Sequence, residues 1–469
     1  MNETSQPLEL LLSVTRGGPR TLGAQIEEQL RQAIRDRTLR PGAGVPSTRD
    51  LARQLGVSRR VVVDAYAQLA AEGYLSLRQG ARPRVSDAAA ASASETRAAV
   101  APAAPLARFD FRPSTPDVST FPRAAWLRSL RHALTTMTDA DLSYGDPRGV
   151  EALRTALADY LGRVRGVVAD PEHIIVTNGY TQSLGLVCRA LATAGAKRIA
   201  FEDPSNPEDS LVAIRGGLEP VLVGVDDAGL RVDELGRADA VVLTPAHQHP
   251  TGVVLTSSRR TDLLAWLRAH GAVAIEDDYD AEYRYDRDAI GALQGLDPNR
   301  VIYSGSASKT LAPALRIGWL VVPPSLLEAV SEEKLLADRG SARIEQYALA
   351  DFLTRGELDR HLRRMRASYR KRRDVLVDAL SEALPEGIVR GVAAGLHVTV
   401  ELPEGPDEQA IREAAGDRRI ALEMMSEYRA DNCGHPPVLL LGYAQMPEAG
   451  IRAGVLELAA AVRAAQIRA

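Results

Sequence analysis

The chain has 469 residues, 45% apolar and 25% charged, too long for the usual single core, so two domains are expected, one of them large. Two cysteines, Cys188 and Cys433, exclude a disulfide framework; the start lacks the basic segment of a secretory signal, and no run of about 18 apolar residues could span a bilayer, so a reducing cytoplasm without membrane attachment is expected. The net charge of −4 hides an asymmetry, since residues 1–86 carry 13 Arg and 8 acidic residues while the rest carries 44 basic and 53 acidic; only the first part has the sign that suits a polyanion.

Leu22, Ile26, Leu30 and Ile34 recur at spacing four and predict an amphipathic helix over 21–36, ended by Arg40-Pro41-Gly42. Ser47 followed by Asp50 has the pattern of a capping box and predicts a short helix through Leu55, broken by Gly56. Ser58 caps a third predicted helix with Val62, Ala65, Tyr66 and Leu69 on one face, stopped at Gly73. Tyr74, Leu75 and Leu77 predict a strand, 78–80 a turn, and 82–85 a second strand, which Pro83 places at an edge because it cannot donate to a ladder. Helix, turn, helix and basic hairpin make a winged helix-turn-helix, whose second helix enters the major groove of DNA by its N-terminal end. Arg59 and Arg60 stand there. Cations in a first turn oppose the helix dipole by roughly a few tenths of a kcal/mol. Helix stability therefore does not account for them, whereas bonding to guanine edges or phosphates does.

The stretch ASASETRAAVAPAAP, poor in large apolar residues, predicts a linker over 88–107. From 108 onward the runs HIIVTNG, RIAFEDP, AVVLTPA, AVAIEDD and RVIYSGS alternate with helical patterns, the organisation of an α/β domain with a mainly parallel sheet. The polar motifs follow the carboxyl ends of those strands, where open α/β sheets bind ligands. After about residue 375 a smaller α+β subdomain is expected, with strands in GLHVTVEL and VLLLGYA and a last helix from Glu448.

Only Lys197, Lys309, Lys334 and Lys371 occur beside 53 Arg. Arginine can replace lysine as a solvated cation but not as an amine that deprotonates to attack a carbonyl. Lys309 lies in YSGSASKTLAPALRIGW with Ser306, Ser308 and Arg316, and Asp277 ends a strand 32 residues upstream. A lysine for the aldehyde, hydroxyls and a guanidinium for the phosphate, and a carboxylate for the pyridine nitrogen are what pyridoxal phosphate needs. A Ser-x-Ser-Lys alone is commonly a surface loop; the upstream carboxylate and Arg316 change that balance. Asn178-Gly179 leads a strand into a helix, offering the N–H groups of Tyr180 and Thr181 to a phosphate. In TPAHQHPTG, His247, Gln248 or His249 could reach the cofactor's 3-hydroxyl.

The stretch from Gln25 to Gly80, with its LRPG, PSTRDLA, LGVSR and AEGYL blocks, resembles the winged helix of the GntR regulators. By that resemblance Arg49, Ser58, Arg59 and Arg60 contact operator DNA. The wing tip departs from the pattern: Gly80-Ala81-Arg82-Pro83 replaces Gly-Ser-Gly-Thr, leaving Arg82 as the wing's candidate contact. SYGDPRG, EDPSNP, TPAHQHPTG, AIEDDYDAEYRY and SASKTLAPALRIGW together resemble the fold-type I aminotransferase domain of MocR-type regulators, a branch of that family. The resemblance implies Lys309 as the Schiff-base lysine, Asp277 at the pyridine nitrogen, and Tyr279 near the 3-hydroxyl, with His249 a further candidate. It places Tyr180, Thr181, Ser306, Ser308 and Arg316 around the phosphate, and implies a head-to-tail, domain-swapped homodimer. Two departures stand out: Asn206 where relatives usually have an aromatic residue, and Leu440 where many aminotransferases have an arginine for the substrate carboxylate, a role for which Arg429 is a possible substitute. The expected function is a regulator sensing pyridoxal phosphate or its adduct with an amine, tied to vitamin B6 or amino-acid metabolism. The alternatives are a working aminotransferase with an accessory DNA-binding domain and a DNA-binding scaffold without cofactor.

Overall fold

A computed structural model describes residues 12–17, 19–78, 80–87, 107–113, 115–285, 290–391, 394–403, 405, 407–431 and 435–468. The expected linker lies outside them apart from Ala107. The chain divides into two compact units, Met1–Ala104 and Pro105–Ala469.

In the first unit, helix α1 (Leu22–Arg35) starts at Thr21, whose hydroxyl accepts the N–H of Ala24, and buries Ile26, Leu30 and Ile34. Helix α2 (Thr48–Leu55) is capped by Ser47; the Ser47 hydroxyl accepts the Asp50 N–H and donates to the Asp50 carboxylate at 2.6 Å. Gly56 closes α2 in the left-handed conformation (φ 62°), where a Cβ is costly. Helix α3 (Arg59–Ala71) turns Val62, Ala65, Tyr66 and Leu69 into the same core, and the Tyr66 hydroxyl donates to the Pro46 carbonyl. Leu30 and Leu69 are fully enclosed, each stabilising the unit by roughly 1.5–3 kcal/mol. Strands β1 (Leu75–Ser76) and β2 (Arg84–Val85) pair antiparallel. The expectation that the second strand lies at an edge is corrected. Besides β1, Val85 and Arg84 bridge to 42–44, with Val85 N–H donating to Ala43 and Gly42 N–H to Val85. Pro83 is compatible because it precedes the ladder and contributes only its carbonyl, to Val45.

In the second unit, β3 (Phe109–Asp110) is followed by β4 (Ile174–Thr177), β5 (Arg198–Asp203), β6 (Glu219–Asp226), β7 (Gly229–Leu230), β8 (Ala240–Leu243), β9 (Val273–Asp278), β10 (Val301–Ser306) and β11 (Gly318–Val321). The last eight form one sheet in the order β4-β11-β10-β9-β8-β5-β6-β7. Neighbours from β10 through β9, β8 and β5 to β6 run parallel, while β11 runs antiparallel to both β10 and β4. Strands β4, β8 and β11 are buried along their whole length, as strands covered on both faces must be. The long helix Glu357–Ala383 leads into β12 (Ile388–Arg390), β13 (His397–Glu401), β14 (Ile420–Ala421), β15 (Glu423–Met424) and β16 (Val438–Gly442). A smaller antiparallel sheet has the order β12-β13-β16-β15, while β14 pairs with β3. The helix Glu448–Arg468 packs against the long helix. Among the described residues, no helix is long and apolar enough to cross a membrane.

Candidate functional site

In the first unit, Ser58 is the N-cap of α3, its hydroxyl accepting the Val61 N–H at 3.4 Å. Arg59 follows with Nε 3.4 Å from the Thr48 hydroxyl, and Arg60 is 91% exposed, 3.9 Å from an open Asp64 carboxylate. So exposed a pair contributes little to stability, and the Arg60 guanidinium remains available. Arg49, on α2, and Arg82, before β2, are also exposed.

In the second unit, a cavity of about 390 Å³ opens beyond the carboxyl ends of β5, β8, β9 and β10. Its wall contains all nine residues expected to meet the cofactor: Tyr180, Thr181, His249, Asp277, Tyr279, Ser306, Ser308, Lys309 and Arg316. Lys309 sits on a single turn, Ala307–Thr310, directly after β10. Burial lowers its pKa below the ordinary lysine value, against the pull of Asp277, Asp280 and Glu423; the neutral, nucleophilic amine is thereby favoured. Asp277, near the end of β9, is pushed well above the usual carboxylate range by burial and then by Asp209, Asp278 and Asp280, with Lys309 opposing. A cation placed beside it would restore the ionised form.

At the opposite end an uncapped helix start stands beside the Arg316 guanidinium. Helix Tyr180–Thr193 begins after Gly179 (φ 103°) with no side-chain cap, so its first N–H groups and dipole face outward. Arg316, itself in the left-handed region (φ 51°), donates to the Asn178 carbonyl. A Cβ at Gly179 would stand 3.0 Å from its guanidinium, and one at Gly318 only 2.8 Å from the Gly179 Cα. Both glycines let the helix start, the guanidinium and β11 meet.

The three residues of TPAHQHPTG separate by role. His247 stands behind the wall, its Nδ1 3.0 Å from the Tyr279 hydroxyl and 2.9 Å from Asp280. Gln248 donates to the carbonyls of Pro204 and His249. Of the three, His249 lines the cavity; burial, then His397, His247 and Lys309, lowers its pKa well below the usual imidazole value.

Sequence reasoning missed several wall residues. Tyr428 reaches the cavity from the turn after β15 and donates to Glu423. Asp209 accepts from the Tyr180 hydroxyl at 2.9 Å and the Asn206 amide at 3.1 Å, and burial pushes its pKa up to about 7. Glu202, also raised to about 7 by burial, accepts from Thr244 and Gln248. Asn206 caps the helix Pro207–Arg215. Leu440 is fully buried with Met425 and Val438 and does not line the cavity; nor does Arg429. The other lysines stand elsewhere: Lys334 is enclosed with Asp338 and Ser341, Lys371 pairs with Glu448, and Lys197 is exposed.

Comparison with known proteins agrees with this division. Residues 22–85 match the model of bacterial regulatory proteins of the gntR family, and residues 116–435 match aminotransferase class I and II. The chain is 34% identical over 379 residues to the HTH-type pyridoxine biosynthesis transcriptional regulator PdxR of Corynebacterium glutamicum, covering 79% of this chain and 82% of that protein. It is 32% identical to the probable rhizopine catabolism regulatory protein MocR of Rhizobium meliloti, covering 96% of each. Among solved structures it resembles LysN, the α-aminoadipate aminotransferase of Thermus thermophilus complexed with N-(5'-phosphopyridoxyl)-L-leucine, with a TM-score of 0.69 and 25% identity, over 77% of this chain and 93% of that one. The chain belongs to the MocR-type transcriptional regulators, in which a gntR-family helix-turn-helix and an aminotransferase class I and II domain share one polypeptide.

Proposed function

We propose that this regulator binds double-stranded operator DNA through the exposed arginines around α3 and reads, through its second domain, the presence of pyridoxal phosphate or of an amine joined to it. The DNA-binding domain extends to residue 87 and the cofactor domain from 108, and the protein acts as a head-to-tail homodimer. The observation that carries the reading is the cavity in which an amine of lowered pKa, a half-buried carboxyl of raised pKa and an anion cradle stand together. The residues fit pyridoxal phosphate: Lys309 for the aldehyde, Asp277 for the ring nitrogen, and Arg316, Ser306, Ser308 and the N–H groups of Tyr180 and Thr181 for the phosphate. Tyr279, oriented by His247, and His249 serve the 3-hydroxyl side. The bound cofactor supplies an aldehyde that amines capture and a ring that withdraws electrons.

Sensing rather than turnover is the better use of this wall. A transaminase must hold its substrate's carboxylate so that the α-proton faces the lysine, and errors of about 1 Å lower rates on the order of a hundredfold. Leu440, at the position of the expected clamp, is part of an apolar cluster. An amine can thus be captured without being aligned for proton transfer, and a persistent adduct can bias the conformation sensed by the DNA-binding domain. Mixing the cofactor-loaded protein with a panel of amino acids and a 2-oxo acid is expected to change its absorption without accumulating oxo-acid product. Sustained turnover in the range of roughly 1–1000 per second common for enzymes would make the protein an aminotransferase instead.

A further inference from the structure

We propose that Tyr180 supplies the surface on which the cofactor's ring rests, and that Asp209 holds it there. This inference depends on the reading that the cavity takes pyridoxal phosphate. The backbone of Tyr180 belongs to the phosphate end: it is the first residue of the helix whose start, at Gly179, lies against the Arg316 guanidinium. Its phenol points elsewhere, donating to Asp209 at 2.9 Å. Asp209 lines the same cavity as Asp277, the carboxyl at the opposite end, and after burial it is the charge that most raises the Asp277 pKa. The tyrosine ring therefore runs along the cavity wall from the phosphate cradle toward the ring-nitrogen carboxylate, the two points that fix the long axis of pyridoxal phosphate.

Asn206 completes the arrangement. At the position where an aromatic residue is expected, it offers no stacking surface; its amide donates to Asp209 at 3.1 Å. Asp209 also accepts from the phenol, so two donors fix its carboxyl, and the tyrosine is held at both its Cα and its hydroxyl. A phenol donating to a carboxyl has an electron-rich face, which suits an electron-poor pyridinium in offset stacking.

The test is a titration of the cofactor-free wild type, Tyr180→Phe, Tyr180→Leu and Asp209→Asn with pyridoxal phosphate, following visible absorption and the circular dichroism induced in that band. Leucine keeps apolar bulk without a π face, and thermal melting verifies folding. Tyr180→Leu is expected to weaken binding roughly two- to tenfold and to diminish the induced dichroism, whereas Tyr180→Phe retains most of both. Asp209→Asn acts on the same hydrogen bond as Tyr180→Phe, so it should resemble that variant and add nothing when combined with it. Wild-type affinity and dichroism in Tyr180→Leu would overturn the proposal, as would a Tyr180→Phe variant as weak as the leucine one, since the hydroxyl rather than the ring would then matter. Absence of any visible band in the wild type would overturn the cofactor reading itself, and this proposal with it.

Discussion

Lys309→Ala protein is expected to fold normally yet form no borohydride-reducible linkage to pyridoxal phosphate. The side chain lines an open cavity rather than the packed core, so its truncation removes an amine and little buried volume, and melting should shift far less than for a core Leu→Ala change, which costs about 2–5 kcal/mol. None of the other three lysines can substitute from its place: Lys334 is fully enclosed and tied to Asp338, Lys371 is engaged with Glu448, and Lys197 is on the surface. Arg316 and Asp277 remain, so weak non-covalent retention of the phosphate compound is expected. Borohydride reduction of the wild type followed by peptide mapping should find the cofactor on Lys309. Cofactor fixed to Lys309→Ala protein by borohydride, or fixation on another lysine in the wild type, would remove Lys309 from this role.

The second large effect is expected at the N-terminal unit. Arg59→Ala and Arg60→Ala should each weaken binding to an operator selected from random duplexes with the wild-type protein, by about 1–3 kcal/mol where the contact is bidentate to a base. Neither mutation should alter the cofactor's absorbance. A gel-shift series at several salt concentrations separates two modes of contact. Loss of discrimination between operator and random duplex indicates a base edge, while uniformly weaker binding with a shallower salt dependence indicates a phosphate. Stability should change little, because Arg60 is paired only across solvent. Undiminished binding in both variants would displace α3 as the recognition helix.

Features set by local chemistry were readable in the chain. Ser47 and Ser58 cap helices as expected, because a side-chain oxygen before an apolar period satisfies orphan N–H groups wherever it occurs. The five apolar runs read as strands became β4, β5, β8, β9 and β10, since a strand covered on both faces needs a continuous apolar run. Strand β6 was missed: it begins with Glu219-Pro220 and is only partly buried, so its sequence lacks that signal. Strand β11 is four residues long and lies within the segment following Lys309, where composition alone does not separate strand from loop. Pro83 misled because the edge rule concerns a proline inside a ladder, and this one precedes it.

The cavity shows the same division. Asp277, Lys309 and Arg316 lie close to strand ends that could be located from the sequence. Tyr428 and Asp209 could not be found in that way, because their places depend on the turn after β15 meeting the loop after β5 and on the helix that begins at Pro207. No residue pattern near Tyr428 marks it; its carbonyl accepts from the Ser205 N–H far away in the chain.

Whether the state of the cavity changes DNA binding is decided by measuring operator affinity for the wild-type protein with and without pyridoxal phosphate and for Lys309→Ala with it. The cofactor is expected to shift the wild-type affinity by about fivefold or more, the lower end of ordinary coupling between sites, and Lys309→Ala is expected not to respond in this way. Superimposable isotherms for the loaded and cofactor-free wild type, with the cofactor shown spectroscopically to be bound, would contradict it.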